Sequence, residues 1–246
     1  MSAIHFVGGE KGGVGKSVFS RLLSQYCLDR GLHYAGLDAD QSHGTTARYY
    51  EEFTRPLCLD QFESTDAIME LALQQEQQVV VDLPAQSQRL LDEWIEENGV
   101  IDMCDEMGVD LYYWHLMDDS PDSLQMLDQF LAKYLGRVKL VVVKNEGRGS
   151  VFTEIDALLA KQKEAVSVIT LPALHANTMF RINKLGISFW AALNAIPSKE
   201  GSLSLMEKQR TKVWLHKSYG EVDSILLAPK EVEVAESSSG DEPTEI

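Results

Sequence analysis

A glycine-rich segment near the N-terminus carries the strongest chemical signal in the sequence. Residues 9–17 read Gly-Glu-Lys-Gly-Gly-Val-Gly-Lys-Ser, between an apolar strand pattern at 3–7 and a helical pattern that begins at Ser17. In such a turn, backbone N–H groups and the positive end of the helix dipole face the same anion. Lys16 adds a cation for the β- and γ-phosphates, and the Ser17 hydroxyl can ligate Mg²⁺. The segment predicts a phosphate-binding loop made of Gly12, Gly13, Val14, Gly15, Lys16, Ser17 and Val18.

The loop departs from the common G-x-x-x-x-G-K-[ST] pattern at two positions. Glu10 replaces the first glycine, and a second lysine, Lys11, precedes Lys16 by five residues. The K-G-G-x-G-K-[ST] motif at 11–17 resembles the deviant Walker A ATPases, the ParA and MinD family. In that family the extra lysine reaches the nucleotide of the partner subunit. The resemblance therefore implies a homodimer that encloses ATP, with Lys11 acting in trans. A solvated loop lysine is the alternative.

Polar side chains follow the predicted strands at their carboxyl ends. Strand patterns at 34–38, 78–82, 110–117 and 137–144 alternate with helical patterns. This alternation predicts an α/β fold: one domain with a doubly wound, mostly parallel sheet flanked by helices, as in P-loop NTPases. Ligands of such folds bind outside the carboxyl ends of the strands. The residues expected to meet at that edge are Asp38, Asp40, Asp82, Asp118 and Asn145.

Two acidic segments are candidates for Mg²⁺ binding and water activation. Asp82 follows three valines, where a Walker B acid holds a water ligand of Mg²⁺; a helix-cap or turn aspartate is the alternative. Asp38-Ala-Asp40 resembles the switch I pattern of the family, D-x-D followed by Pro-Gln, but Gln41 follows here without the proline. We expect Asp40 to accept a hydrogen bond from the attacking water and Asp38 to brace the loop. The candidate catalytic residues are Lys11, Lys16 and Asp40, and the candidate metal ligands are Ser17 and Asp82.

Two further residues resemble the nucleobase pocket of the same family. Asn145 ends the strand pattern at 137–144, where the family has an asparagine whose amide contacts adenine. Pro172, after a strand pattern at 166–171, resembles the base-pocket proline. A guanine-reading Asn/Thr-Lys-x-Asp motif is absent, since residues 144–147 read Lys-Asn-Glu-Gly. The resemblance therefore implies ATP and Mg²⁺ as cofactors, and ATPase activity.

Composition restricts the compartment and the partners. The chain of 246 residues has a formal net charge of −16, which argues against bulk attraction to nucleic acid or anionic lipid. Its three cysteines lack C-x-x-C spacing and fit a reducing compartment. No signal-peptide pattern and no apolar run of membrane-spanning length occurs. We expect a soluble, cytoplasmic protein that does not bind membranes.

Three segments are predicted: the ATPase domain at 1–200, a basic helix at 201–220 and a disordered acidic tail at 221–246. The tail has eight acidic residues and one lysine. Basic and apolar residues alternate from Lys208 to Lys217 in the helix. They predict a nonspecific DNA patch, a lipid-lying helix or a protein-docking surface; the alternative is a helix that packs Trp214 on the domain and leaves its lysines in water.

A second resemblance concerns residues 9–26 and the layout from Asp82 through 94–98 to 107–108, which are similar to the TraL-type proteins of conjugative plasmids, a branch of the same family. Together the resemblances imply a slow ATPase whose ATP-bound homodimer times association with a partner in plasmid transfer, partition or positioning. Three alternatives stay open. They are a partition ATPase that binds DNA, a nucleotide-controlled adaptor of a transfer or secretion machine with little or no hydrolysis, and a nucleotide-binding module in which the shortened switch I misplaces Asp40.

Overall fold

Seven short apolar segments pair side by side into one parallel sheet. The computed structural model describes residues 1–41, 45–162, 166–196 and 201–228. The strands are β1 (Ala3–Gly8), β2 (Tyr34–Asp38), β3 (Thr54–Pro56), β4 (Gln78–Asp82), β5 (Asp110–Met117), β6 (Lys139–Asn145) and β7 (Ser167–Leu171). They pair in the order β3-β2-β4-β1-β5-β6-β7. This order confirms the predicted doubly wound α/β fold, with β1 at the centre.

Helices connect the strands and cover both faces of the sheet. They are α1 (Lys16–Asp29), α2 (Thr45–Tyr49), α3 (Phe62–Thr65), α4 (Ala67–Gln74), α5 (Gln88–Glu97), α6 (Val100–Met107), α7 (Pro121–Tyr134), α8 (Thr153–Leu159), α9 (Ala176–Leu185), α10 (Phe189–Asn194) and α11 (Leu205–Leu226). Among the helices of the described residues, none is long and apolar enough to cross a membrane.

The alternation of side chains along β1 divides the interior into two apolar layers. Ile4 and Phe6 belong to the layer that also contains Trp94 of α5, while Val7 belongs to the layer that contains Trp214 of α11. Successive residues of a strand face opposite sides of the sheet, so a continuously apolar strand fits a sheet buried on both faces. The parallel register places Val7 opposite Asp82, and Asp82 opposite Asp38. The acidic strand ends therefore share one edge of the sheet.

The C-terminal helix differs from the prediction in length. Helix α11 continues to Leu226, so the prediction that a disordered tail begins at 221 is wrong for residues 221–226. Packing explains the extension, because Val222 is fully buried and the Glu221 carboxylate accepts a hydrogen bond from the Thr170 N–H at 2.9 Å. Trp214 is also buried, as expected from the alternative in which this helix packs Trp214 against the domain. The remaining tail, 229–246, lies outside the described residues.

Two smaller elements also depart from the sequence patterns. Strand β3 (Thr54–Pro56) was not among the predicted strand patterns; its residues pair with β2, while the buried Leu57 and Leu59 lie in the following loop. Helix α6 was not predicted. It begins directly after Gly99, which is in the left-handed conformation and separates it from α5.

Candidate nucleotide-binding site

The loop between β1 and α1 closes around the side chain of Lys16. The Nζ atom donates to the carbonyl oxygens of Gly9 at 2.8 Å and Lys11 at 3.0 Å. Burial lowers the pKa of this amine, while the charges of Asp82, Glu10 and Asp40 act in the opposite direction. A buried ammonium at a helix N-terminus, hydrogen-bonded to two neutral carbonyls, is a strong site for a phosphate oxygen.

Gly15 allows β6 to support the loop. It precedes α1 with a φ of 103°, and a Cβ atom at this position would lie 2.3 Å from Nδ2 of Asn145. That Nδ2 donates to the Val14 carbonyl at 2.7 Å, and Oδ1 of Asn145 accepts from the Gly147 N–H at 2.9 Å. Only glycine tolerates both the left-handed conformation and this close approach. Asn145 therefore also has a role in shaping the loop, which the sequence did not indicate.

Asp82 lies beneath the start of α1 with one oxygen unpaired. Its Oδ2 accepts a hydrogen bond from the Thr46 hydroxyl at 2.6 Å, whereas Oδ1 is buried and no described residue donates a hydrogen bond to it. Burial raises the pKa of Asp82 to about 6; the Thr46 hydroxyl, and to a smaller extent those of Ser20 and Ser17, offset part of this rise, to which the charge of Asp38 adds. A buried carboxylate oxygen without a donor, next to a serine hydroxyl, fits the shell of a Mg²⁺ ion. Thr46 was missed from the sequence, where it reads as an ordinary helix residue.

Asp38 braces a different segment from the one expected. Its Oδ1 accepts from the Asp40 N–H at 3.0 Å and its Oδ2 from the Ala47 N–H at 2.9 Å. The expectation that Asp38 braces the phosphate-binding loop is wrong, because both bonds hold the chain between β2 and α2. Asp40 is half-buried at the start of this segment, and its charge acts on Lys16. Residues 42–44 of the predicted switch I lie outside the described residues.

Lys11 is held within its own subunit. Its Nζ lies 2.7 Å from Oδ2 of Asp118 and 2.6 Å from the Ser120 hydroxyl, both at the carboxyl end of β5. Burial raises the pKa of Asp118, but hydrogen bonds from Lys11, Ser120 and Ser123 outweigh this effect and hold the pKa well below its usual range. The cation is therefore neither free nor directed at the phosphate-binding loop. We define this group of Lys11, Asp118 and Ser120 as the lysine clamp.

Glu10 connects the loop to the helix that follows Asp82. The Glu10 Oε1 accepts from the N–H of Gln88, the first residue of α5, at 2.9 Å. Gln88 accepts in turn from the Tyr113 hydroxyl at 2.8 Å. An acidic group at a helix N-terminus stabilises it through the unpaired N–H groups and the helix dipole. The residue that departs from the common loop pattern thus couples the loop to α5.

An open cavity of about 360 Å³ lies beside α1 at the ends of β6 and β7. Asn145 and Pro172, the two residues expected at the nucleobase, both line it. The Pro172 carbonyl accepts from the Trp214 indole N–H at 2.6 Å, which fixes one wall against α11. The other lining residues are Gly15, Val18, Gly147, Arg148, Leu171, Leu174, Ala176, Met179, Phe180, Asn183 and Trp214. The cavity has the size and the mixed apolar and amide lining that a purine base requires.

The predicted basic patch on α11 is smaller than the sequence indicates. Lys208 is half-buried and donates to the Ala195 carbonyl at 2.7 Å. Arg210, Lys212 and Lys217 are exposed. The exposed lysine and arginine side chains of this segment are therefore these three.

Comparisons with known proteins relate the chain to two groups. No known protein-family profile matches it. Two Escherichia coli proteins named TraL are 29% and 28% identical to it, and each alignment covers 87% of this chain and 94% of the TraL chain. The similarity thus extends over nearly the whole length of both proteins.

Solved structures share this fold, and two of those named here contain a bound nucleotide. MinD of Pyrococcus horikoshii complexed with Mg-ADP has a TM-score of 0.56 at 12% identity, covering 95% of this chain and 100% of MinD. The MinC:MinD complex of Aquifex aeolicus gives 0.55 at 12% identity, with 89% and 97% coverage. A plasmid partition protein of Borrelia burgdorferi bound to AMPPNP gives 0.53 at 14% identity, with 89% and 100% coverage. These similarities establish the fold.

The unusual environment of Asp82 predicts a pH-dependent stability. Since the native pKa of Asp82 is raised to about 6, its contribution to stability is complete below the unfolded pKa and is lost as the pH rises through 6. Asp82→Asn cannot ionise. The stability of the variant relative to wild type, given by the difference between their free energies of unfolding, should therefore be about 1 kcal/mol greater at pH 8 than at pH 5. Urea unfolding in EDTA measures this difference.

Asp60→Asn, which changes an exposed carboxylate, is the control and should show no such trend. A relative stability of Asp82→Asn that stays constant between pH 5 and pH 8 would show that Asp82 titrates normally.

Proposed function

Starting from a ParA/MinD-like fold and a sequence similar to TraL, we propose that this chain is a slow ATPase that dimerises with ATP and times association with a partner protein in plasmid transfer. The observation that carries the proposal is the buried Lys16 amine, held by carbonyls at the N-terminus of α1 beside the unpaired oxygen of Asp82. A cation, a helix dipole and a metal-binding carboxylate at one point suit a nucleoside triphosphate.

The chain's own groups divide the work of hydrolysis. The Lys16 amine exchanges its two carbonyl partners for phosphate oxygens and stabilises the charge that develops there. Ser17 and Asp82 would hold Mg²⁺, which when bound neutralises the β- and γ-phosphates. Asp40 accepts a hydrogen bond from the attacking water and orients it, and then takes up its proton. Asn145 and Pro172 position the adenine in the cavity beside α1.

Lys11 makes dimerisation conditional. In the lysine clamp its ammonium group is paired with Asp118, so it must leave this carboxylate before it can reach a nucleotide on another subunit. The pair is partly exposed, with side-chain accessibilities of 27% for Lys11 and 17% for Asp118, and such pairs are only modestly stable. A triphosphate on the partner subunit carries more charge than Asp118 and can compete for the lysine.

A protein is the favoured partner. The net charge of −16 opposes attraction to DNA, and the Nζ of Lys208 is engaged by Ala195. DNA bound through the segment from Lys208 to Lys217 remains the weaker candidate, and its affinity would fall steeply with salt.

A nucleotide-controlled adaptor with little hydrolysis is the second candidate function. The bond from Thr46 to Asp82 favours it, because it holds the start of α2 over the carboxylate that would serve Mg²⁺. The two candidates differ in turnover and agree in nucleotide binding.

Turnover of Mg-ATP by three variants tests the proposal. Lys16→Ala should lose ATP binding, since the cation of the loop is gone. Asp40→Ala should bind ATP within about threefold of wild type and hydrolyse it at least ~100-fold more slowly. Asp60→Ala, an exposed carboxylate elsewhere, should behave as wild type. Phosphate release and equilibrium binding measure the two quantities. If the wild-type protein binds ATP without hydrolysing it, the adaptor function is favoured over the ATPase. If Lys16→Ala retains both ATP binding and hydrolysis, both candidate functions are refuted.

The lysine clamp makes a separate prediction for dimerisation. Asp118→Asn removes the charge that retains Lys11, so the ATP-bound dimer should form at a protein concentration about three- to tenfold lower than for wild type. Sedimentation velocity with Mg-ATP measures the dimer dissociation constant. Asp119→Asn is the matched control, because Asp119 accepts from Ser150 and Val151 and makes no bond to Lys11. A weaker dimer in Asp118→Asn would mean that the clamp assists assembly.

A further inference from the structure

A buried arginine contacts one of the residues that line the base cavity. Arg21 of α1 is 2% exposed, and its Nε and Nη2 atoms have no hydrogen-bond partner among the described residues. Its guanidinium stacks on the ring of Tyr49, with Cζ 3.6 Å from the ring centre. The same Cζ atom lies 4.8 Å from the centre of the Phe189 ring. Burying a cation with so few partners is costly, so a structural role alone gives little reason for a charged side chain here.

Within the described part of the chain, the guanidinium of Arg21 donates to one amide oxygen. Nη1 donates to Oδ1 of Asn183 in α9 at 2.8 Å. A guanidinium has only donors, so the oxygen of the Asn183 amide must face Arg21 and its NH₂ group must face away. The arginine thereby removes the ambiguity between the two orientations of an asparagine amide. A lysine would impose the same orientation, whereas an apolar residue would leave the amide free to rotate.

The amide fixed in this way borders the base cavity. Asn183 lines it together with Asn145 and Phe180, which is 64% exposed and offers an aromatic face. The Asn145 amide is held on both sides, since its oxygen accepts from the Gly147 N–H and its Nδ2 donates to the Val14 carbonyl. The amide group that the cavity lining offers to a base is therefore the NH₂ group of Asn183. Such a lining recognises acceptor atoms on a base, which in adenine are the ring nitrogens N1, N3 and N7.

We propose that Asn183 reads the purine by donating from Nδ2 to one ring nitrogen, and that Arg21 is the positioning residue that fixes this donor. The inference rests on the proposed function, because it requires a nucleotide in the cavity. It goes beyond Asn145 and Pro172 in naming a specificity-determining side chain on α9 and the reason for a buried arginine in α1. Tyr49 donates to the Asn183 carbonyl at 3.4 Å and belongs to α2, so the same contacts join the base site to the segment that begins at Asp40.

Binding of ATP and its 1-, 3- and 7-deaza analogues, each lacking one ring nitrogen, tests the inference in the full chain with Mg²⁺. One analogue should bind wild type about three- to tenfold more weakly than ATP, the effect of one hydrogen bond. The affinity of Asn183→Ala for ATP should fall to the affinity of wild type for that analogue, and the affinity for the analogue itself should not change. Asn194→Ala, an exposed asparagine of α10, is the matched control and should retain the wild-type discrimination.

Variants of Arg21 separate positioning from packing. Arg21→Lys keeps a donor-only head and should retain the discrimination between ATP and the analogue, whereas Arg21→Met should lose it. Thermal melts identify any variant that fails to fold, in which case Asn183→Ala decides alone. The inference would be overturned if wild type and Asn183→Ala discriminated equally between ATP and the deaza analogues, or if wild type did not discriminate at all. In either case, ATP binding that depends on Lys16 would still uphold the proposed function. Failure of wild type to bind ATP at all would overturn both.

Discussion

The burial of the Lys16 ammonium is the constraint on which the site depends. Burial lowers its pKa, and the carboxylates of Asp82, Glu10 and Asp40 compensate from three different segments of the chain. These segments can meet only because β1 and β4 run parallel in a register that pairs Val7 with Asp82. The two apolar layers that flank β1 set this register, so the core of the domain and the charge balance of the site are parts of one arrangement.

Several of the groups that would act on a nucleotide are engaged by the chain itself. Lys16 is held by backbone carbonyls, Lys11 by the lysine clamp and Asp82 by the Thr46 hydroxyl. Each of these partners is neutral or less highly charged than a triphosphate with its metal ion. A nucleotide that replaces weak internal partners by stronger bonds of its own can shift the protein between two states. The net binding free energy is most favourable where the internal bonds that must break are weakest.

Local signals predicted the sheet and the phosphate-binding loop, and they could not predict contacts between distant segments. Alternating strand and helix patterns determine the doubly wound fold, and the parallel sheet then brings Asp38, Asp82 and Asn145 to one edge. Lys11 and Asp118 are 107 residues apart in the sequence, and no periodic pattern predicts that they pair. The extension of α11 beyond 220 depends on Val222 packing in the core, which outweighs the acidic character of the segment.

Light scattering, which gives the molar mass in solution, decides whether ATP controls assembly of this chain. The wild-type protein would be measured at one concentration with Mg-ATP, with Mg-ADP and without nucleotide. We expect a mass of 27.5 kDa without nucleotide and with ADP, and twice that value with ATP. A mass that is the same under all three conditions would contradict this expectation and leave a nucleotide-binding domain whose assembly ATP does not control.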